Sequence, residues 1–275
     1  MERPPHEWSA WRAKRLGEVG GAHGWSTLVG LHWLAPGRHG IGASATADVR
    51  LPEGSAPPLV GILIVGDDAV DLSHGHGLME EGHSAPTNDI MRLSPDVPGP
   101  PTLMRSGRLT WWIIRRGNRL AVRVRDPEAP ARRSFHGIPA YPYDPAYRIE
   151  ARFIPSEGPR TLAVTDVTGN TSNETVPGTL VFELDGTESR LIPVEDRDAG
   201  DWFINFKDST SGHGTYPGGR FLHVRKAGPD GKVVLDFNFA YNPPCAFTAH
   251  ATCPMPPRAN HMGRPIRAGE RFLGH

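Results

Sequence analysis

The sequence predicts a mainly β protein: two packed antiparallel β domains, sandwich- or barrel-like, with one short N-terminal helix. Three observations predict it. Short apolar runs alternate with polar residues at a period of two. The 32 Gly and 28 Pro among 275 residues are spread between those runs, where tight turns are needed. Helical spacing of apolar residues is convincing only near the N-terminus.

That helix is expected from about His6 to Gly17, with Trp8, Trp11 and Arg15 on one face and Gly17, Gly20 and Gly21 as stops. Tryptophans at this spacing pack against a sheet more often than they hold a ligand. From Gly24 the pattern is β. Trp25 to Leu34 and Leu59 to Val65 are strand-like, and Leu109 to Ile114 and Leu120 to Val124 flank a hairpin turn at Arg115–Arg119. A Pro-rich link from Arg125 to Pro145 holds the domain boundary. The expected division is 1–20, 21–130 and 131–275.

Beyond the link, Tyr147, Ile149, Ala151 and Phe153 alternate with Arg148, Glu150 and Arg152, giving one buried and one wet face. Thr179–Leu184, Asp185-Gly186 and Ser189–Val194 form the strongest hairpin signal, because Asp-Gly suits a type I′ turn. Trp202–Phe206, Arg220–Val224 and Lys232–Phe237 complete the strands, with Pro229-Asp230-Gly231 turning before the last.

Thirty basic and 30 acidic residues balance, which argues against nucleic acid or an anionic membrane as partner. Met1 to Trp8 lacks the apolar core of a secretory signal, and no apolar run approaches the ~18 residues of a membrane span. A cytoplasmic location is expected. Two cysteines make no disulfide framework.

Several stretches together resemble the domain of unknown function 1684 family: Gly24-Trp25-Ser26-Thr27-Leu28-Val29-Gly30-Leu31-His32-Trp33-Leu34, Val122-Arg123-Val124-Arg125-Asp126, and the Asp236–Cys253 region with Asn242-Pro243-Pro244-Cys245. The resemblance implies no activity. His250 stands where the family pattern has an aromatic, and Pro217 where it has glycine. The N-terminal half also resembles a forkhead-associated sandwich, through Gly40-Ile41-Gly42 and Asp48-Val49-Arg50-Leu51-Pro52. Such modules read phosphothreonine with an arginine and a serine. Ala43 and Ala56-Pro57 occupy those places here, so no phosphothreonine peptide is expected as partner.

Four constellations could carry chemistry. In the first, a strand through Asp236, Asn238 and Ala240 would turn the carboxylate and amide to one face and Phe237, Phe239 and Tyr241 to the other, with Arg220 paired to Asp236. Asp208, Tyr216, Arg220, Asp236, Asn238 and Asn242 would then line one polar cavity for a small polar ligand. A buried polar network that only sets strand register is the competing reading. In the second, Cys245, His250, Cys253 and His261 offer zinc-type ligands, but Pro254, Pro256 and Pro257 restrict them and no Cys-x-x-Cys is present. Reduced thiols, a Cys245–Cys253 disulfide and a zinc site all stay open. In the third, His74, His76 and His83 lie near Glu80 and Glu81 in a Gly-rich stretch, a metal site or a solvated loop. In the fourth, Asp208 to Tyr216 holds Asp, Ser and His without the context of a nucleophile elbow, and reads as a hydroxyl-rich loop or a lid over the Asp236 cavity. No cofactor is expected. The function stays open between a β protein that binds a small polar ligand and a hydrolase-like enzyme using the same cavity, with or without a metal.

Overall fold

The protein is described by a computed structural model covering residues 5–73, 78–80, 90–196 and 200–274. It is mainly β, and among the described residues no helix is long and apolar enough to cross a membrane. The chain divides into two compact units. One comprises Glu18–Phe135; the other comprises His136 to the C-terminus together with the residues up to Gly17.

Helix α1 (His6–Gly20) runs three residues past its expected stop. Gly17 weakens helix by about 1 kcal/mol relative to Ala. The last turn holds because Val19 is fully buried.

The Glu18–Phe135 unit contains β1 (Leu28–Leu34), β2 (Gly37–Gly42), β3 (Val49–Arg50), β4 (Gly61–Val65), β5 (Val70–Ser73), β6 (Leu78–Glu80), β7 (Met91–Leu93), β8 (Met104–Ser106), β9 (Leu109–Arg116) and β10 (Arg119–Arg125). They form two five-stranded sheets, ordered β1-β10-β9-β8-β6 and β3-β2-β4-β5-β7. Pairing is antiparallel except between β2 and β3. One core joins the sheets through Ile41, Leu63 and Leu72 on one and Trp111, Ile113 and Val122 on the other. Trp112 and Ile114 pack in a second cluster, so β9 is buried on both faces and reads as an unbroken apolar run. The β9–β10 turn is tighter than predicted, because Arg115 and Arg116 stay in the ladder and only Gly117-Asn118 turn. Helix α2 (Pro130–Arg133) closes the unit.

The C-terminal unit contains β11 (Arg148–Pro155), β12 (Thr161–Thr165), β13 (Thr171–Thr175), β14 (Gly178–Leu184), β15 (Thr187–Leu191), β16 (Val194–Glu195), β17 (Trp202–Phe206), β18 (Arg220–Val224) and β19 (Lys232–Asp236). Its sheets run β15-β14-β11-β19, β16-β17-β18 and β12-β13. Asp185 and Gly186 take positive φ of 50° and 70°, as the predicted type I′ turn requires. Ala151 is buried while Arg148, Glu150 and Arg152 are exposed, as the period of two predicted. Trp202, Ile204 and Phe206 of β17 join Leu222 and Val224 of β18 and Leu235 of β19 in the core. The opposite face of β17 and β18 carries a second cluster built on Phe203, Phe221, Tyr241 and Cys253.

One strand expectation is corrected. β19 ends at Asp236, and Phe237–Phe239 form a 3₁₀ turn. Asp236 accepts from the Asn238 backbone N–H at 3.1 Å, as short acidic side chains do at such starts. Asn238 is therefore not two strand positions from Asp236, and Phe237 turns fully into the core.

Candidate functional site

Arg220 pairs with Asp208, not with Asp236. Its Nη2 donates to Asp208 Oδ2 at 2.8 Å and to the Ile266 carbonyl at 2.9 Å; Nη1 donates to the carbonyls of Ala268 and Glu270. The two side chains are 0% and 1% exposed. Asp208 Oδ1 accepts from Thr210 N at 2.8 Å, Thr210 Oγ1 at 2.6 Å and Ile266 N at 3.2 Å. The backbone reaches this position because Gly219 has φ +89°, where a Cβ would lie 2.5 Å from the Phe206 carbonyl oxygen. The hydroxyl-rich loop is thus anchored on a buried carboxylate, and Asp208 faces the ion pair instead of a cavity under a lid. His213 of the same loop is exposed.

The other predicted residues also sit in networks. Asn238 grips Asp144, accepting from its N–H at 2.9 Å and donating to its carbonyl at 2.8 Å, and donates to Asp236 at 2.9 Å. Arg148 lies 3.8 Å from Asp236 and takes the place expected for Arg220. Burial holds the Asp236 carboxyl above its ordinary value, against the opposing bonds from Asn238 and the charge of Arg148. Asn242 donates its backbone N–H to Glu270 Oε2 at 2.7 Å and its amide to the Arg271 carbonyl at 2.9 Å. Tyr216 donates to the Cys245 carbonyl at 3.1 Å, and burial raises its phenol pKa.

Glu270 and the role of Arg15 are not legible in the sequence. Arg15 Nε donates to Glu270 Oε1 at 3.0 Å, Nη2 donates to the Asn242 carbonyl at 3.2 Å, and the guanidinium lies 4.4 Å over the Tyr241 ring. Trp8 donates to the Asn238 carbonyl at 3.0 Å, and Trp11 packs on Phe239 at 5.1 Å. Arg15 shares the helix face of those tryptophans, but its partner lies 255 residues away, beyond the reach of any local pattern.

Among the described residues no three His, Cys, Asp or Glu side chains are grouped to hold a metal. Cys245 and Cys253 are unbridged, and Cys253 Sγ accepts the Cys245 N–H at 3.1 Å. His250 N–H bonds to Thr248 at 3.1 Å, and His261 is exposed with Nε2 3.2 Å from the Pro256 carbonyl. His74, His76, His83 and Glu81 lie outside the described residues.

Asp236 borders a cleft of about 830 Å³ in the C-terminal unit, lined in part by residues of β18 and β19. Trp11, Tyr143, Phe239 and Tyr241 supply aromatic walls, and Arg148, Arg225, Lys226 and Lys232 line the rim. Glu7 and Asp236 are the acidic residues of the lining, so basic side chains predominate. Lys226 leans on Glu195 and Lys232 on Glu150, whereas Arg225 makes no ion pair among the described residues. His223 borders both this cleft and a smaller depression of about 370 Å³ with more apolar walls, including Leu162, Val164 and Phe203. The larger cleft is the better candidate because aromatic faces and charged groups converge there. Rings can stack on a flat ligand, and guanidinium and ammonium groups can meet an anion.

Residues 133–271 match the model described as Protein of unknown function (DUF1684), which spans half of the chain, and the protein belongs to that family. A solution NMR structure of an uncharacterized protein of Haloarcula marismortui is similar at 33% identity, over 55% of this chain and 85% of that one, with a TM-score of 0.44. No curated protein matches the chain.

Proposed function

We propose that the C-terminal unit binds a small anionic molecule with a flat apolar part. The observation that carries this is the convergence of four aromatic rings and four basic side chains on the cleft beside Asp236. Of the six residues expected to line a ligand cavity, Asp236 alone is part of this reading. Asn238 supports it by bonding to Asp236, whereas Asp208 and Arg220 form a separate buried network. The reading requires no metal and keeps the cytoplasmic setting expected from the sequence. Phenyl phosphate and benzoate are suitable probes. Each should raise the melting temperature through binding to the folded state, and Arg225→Glu should abolish the rise. No shift with any aryl phosphate or aryl carboxylate, or an undiminished shift in Arg225→Glu, rejects the reading.

For the Glu18–Phe135 unit we infer a forkhead-associated-like sandwich without phosphopeptide reading. Its two five-stranded sheets support the likeness. The loss of function is supported by the backbone donors at the expected phosphate loop. Ala43 N–H is committed to the Pro57 carbonyl at 2.9 Å and Ser44 N–H to the Pro58 carbonyl at 3.0 Å. Binding of a phosphothreonine peptide, lost with the phosphate, would overturn this.

A further inference from the structure

Tyr241, His223 and Asp196 form a chain of polar groups that ligand binding does not require. His223 Nε2 is 2.7 Å from Tyr241 Oη, within hydrogen-bond distance, and Asp196 Oδ2 lies 3.1 Å from Nδ1. The two rings are nearly parallel, at 6°. A carboxylate beside Nδ1 favours the tautomer with its proton there. Nε2 is then an acceptor, and the phenol donates to it. Tyr241 is fixed from two directions. Its backbone pairs with Phe221 in both senses, at 2.8 and 2.9 Å, and Arg15 covers its ring. An oriented base beside a hydroxyl that borders a cleft has the arrangement of an activated nucleophile.

We propose that Tyr241 is a nucleophile toward a phosphate ester held in the basic cleft, with His223 as its base and Asp196 as the positioning residue. This rests on the binding function proposed above. Tyr241 Oη attacks phosphorus, the Oη–P bond forms and the ester P–O bond breaks. The phenolic proton passes to His223 Nε2 and then to the departing alkoxide, giving an alcohol. Water next cleaves the Oη–P bond, returning a proton to Tyr241 and releasing phosphate, so the sum is ester hydrolysis. Arg225 and Lys226 border the same cleft and carry the positive charge that the phosphoryl oxygens need.

The test is reaction of the full chain with a dialkyl fluorophosphate, in which Oη displaces fluoride, with adducts mapped by mass spectrometry. Tyr241 should be the tyrosine modified, and the other four of the five should stay free. His223→Gln should slow labelling about 100-fold, in the range of general-base contributions. Asp196→Asn should also slow it, and Asp196→Glu should restore part of the rate, which a merely structural role would not. His223 is 41% exposed, so its variant is expected to fold; Asp196→Asn serves if it does not. Labelling of Tyr241 no faster than Tyr141, or indifferent to both His223→Gln and Asp196→Asn, overturns the proposal. Phenyl phosphate binding is measured in parallel. Binding without selective labelling removes the nucleophile and leaves the ligand site standing; no binding removes both.

Discussion

Arg220 and Asp208 meet at 2.8 Å in a place where neither side chain is more than 1% exposed. Attraction between buried charges is strong, but so is the cost of taking each out of water. The pair holds because Arg220 also satisfies the carbonyls of Ile266 and Ala268, while Asp208 takes Thr210 and Ile266 donors.

Arg220→Met should therefore cost about 3–5 kcal/mol, since it strands a buried carboxylate. Urea denaturation of the two proteins checks this. A loss below about 1 kcal/mol would mean that Asp208 finds water or another partner.

Asp236→Asn should behave differently. Asn also starts helical turns well, and Arg148 is half exposed, so the loss should stay under about 1 kcal/mol. The pH dependence has a definite sign. Asp236 is raised by burial, so its contribution is present in full below the ordinary aspartate value and lost as pH rises through the folded one. Relative to the native chain, Asp236→Asn should gain stability as pH rises from strongly acidic to neutral. Melting curves across that range provide the check.

Asp126 gives the opposite slope. Burial pushes its carboxyl up, but hydrogen bonds from Arg108 and the Glu128 amide, with the charges of Arg108 and Arg133, outweigh burial and hold it below its ordinary value. Its contribution is present above about pH 3.9 and lost as pH falls through the lower folded value. Asp126→Asn should cost roughly 1–2 kcal/mol at neutral pH, discounted because Arg108 is partly exposed, and the difference should shrink in acid. A difference constant from neutral pH to pH 2 would refute the assignment.

Arg15→Ala should destabilise the C-terminal unit by about 2–3 kcal/mol, because buried Glu270 loses its nearer guanidinium and keeps only Arg12 at 3.9 Å and the Asn242 N–H. Glu270→Gln in the same background should recover part of that loss. A double-mutant cycle reads the coupling directly; additive losses would mean the two side chains act separately.

The legible parts of this protein were those encoded by neighbours in the chain. The alternation from Tyr147 to Phe153, the Asp185-Gly186 turn and the Trp8–Trp11 face each follow from spacing over a few residues. Asp236 and Asn238 were misplaced because a strand pattern and a capped 3₁₀ turn share the same residue types until the backbone bends. The partner of Arg220 is not legible for a second reason: an arginine on a strand names no partner, and Asp208 and Asp236 both fit. The role of His223 is not legible either, because Asp196 and Tyr241 approach it only in the folded chain.

The clasp between Arg15 and Glu270 also imposes an order on synthesis. The helix that carries Arg15 leaves the ribosome 255 residues before the carboxylate that it binds. Residues 18–135 make their contacts largely among themselves and can form while translation continues. The remainder must wait, with Trp8 and Trp11 kept from Phe239 and the Asn238 carbonyl until the whole C-terminal half has emerged. A stall or nonsense codon before residue 270 would leave a finished sandwich attached to a segment with no closing partner, a natural target for quality-control proteases.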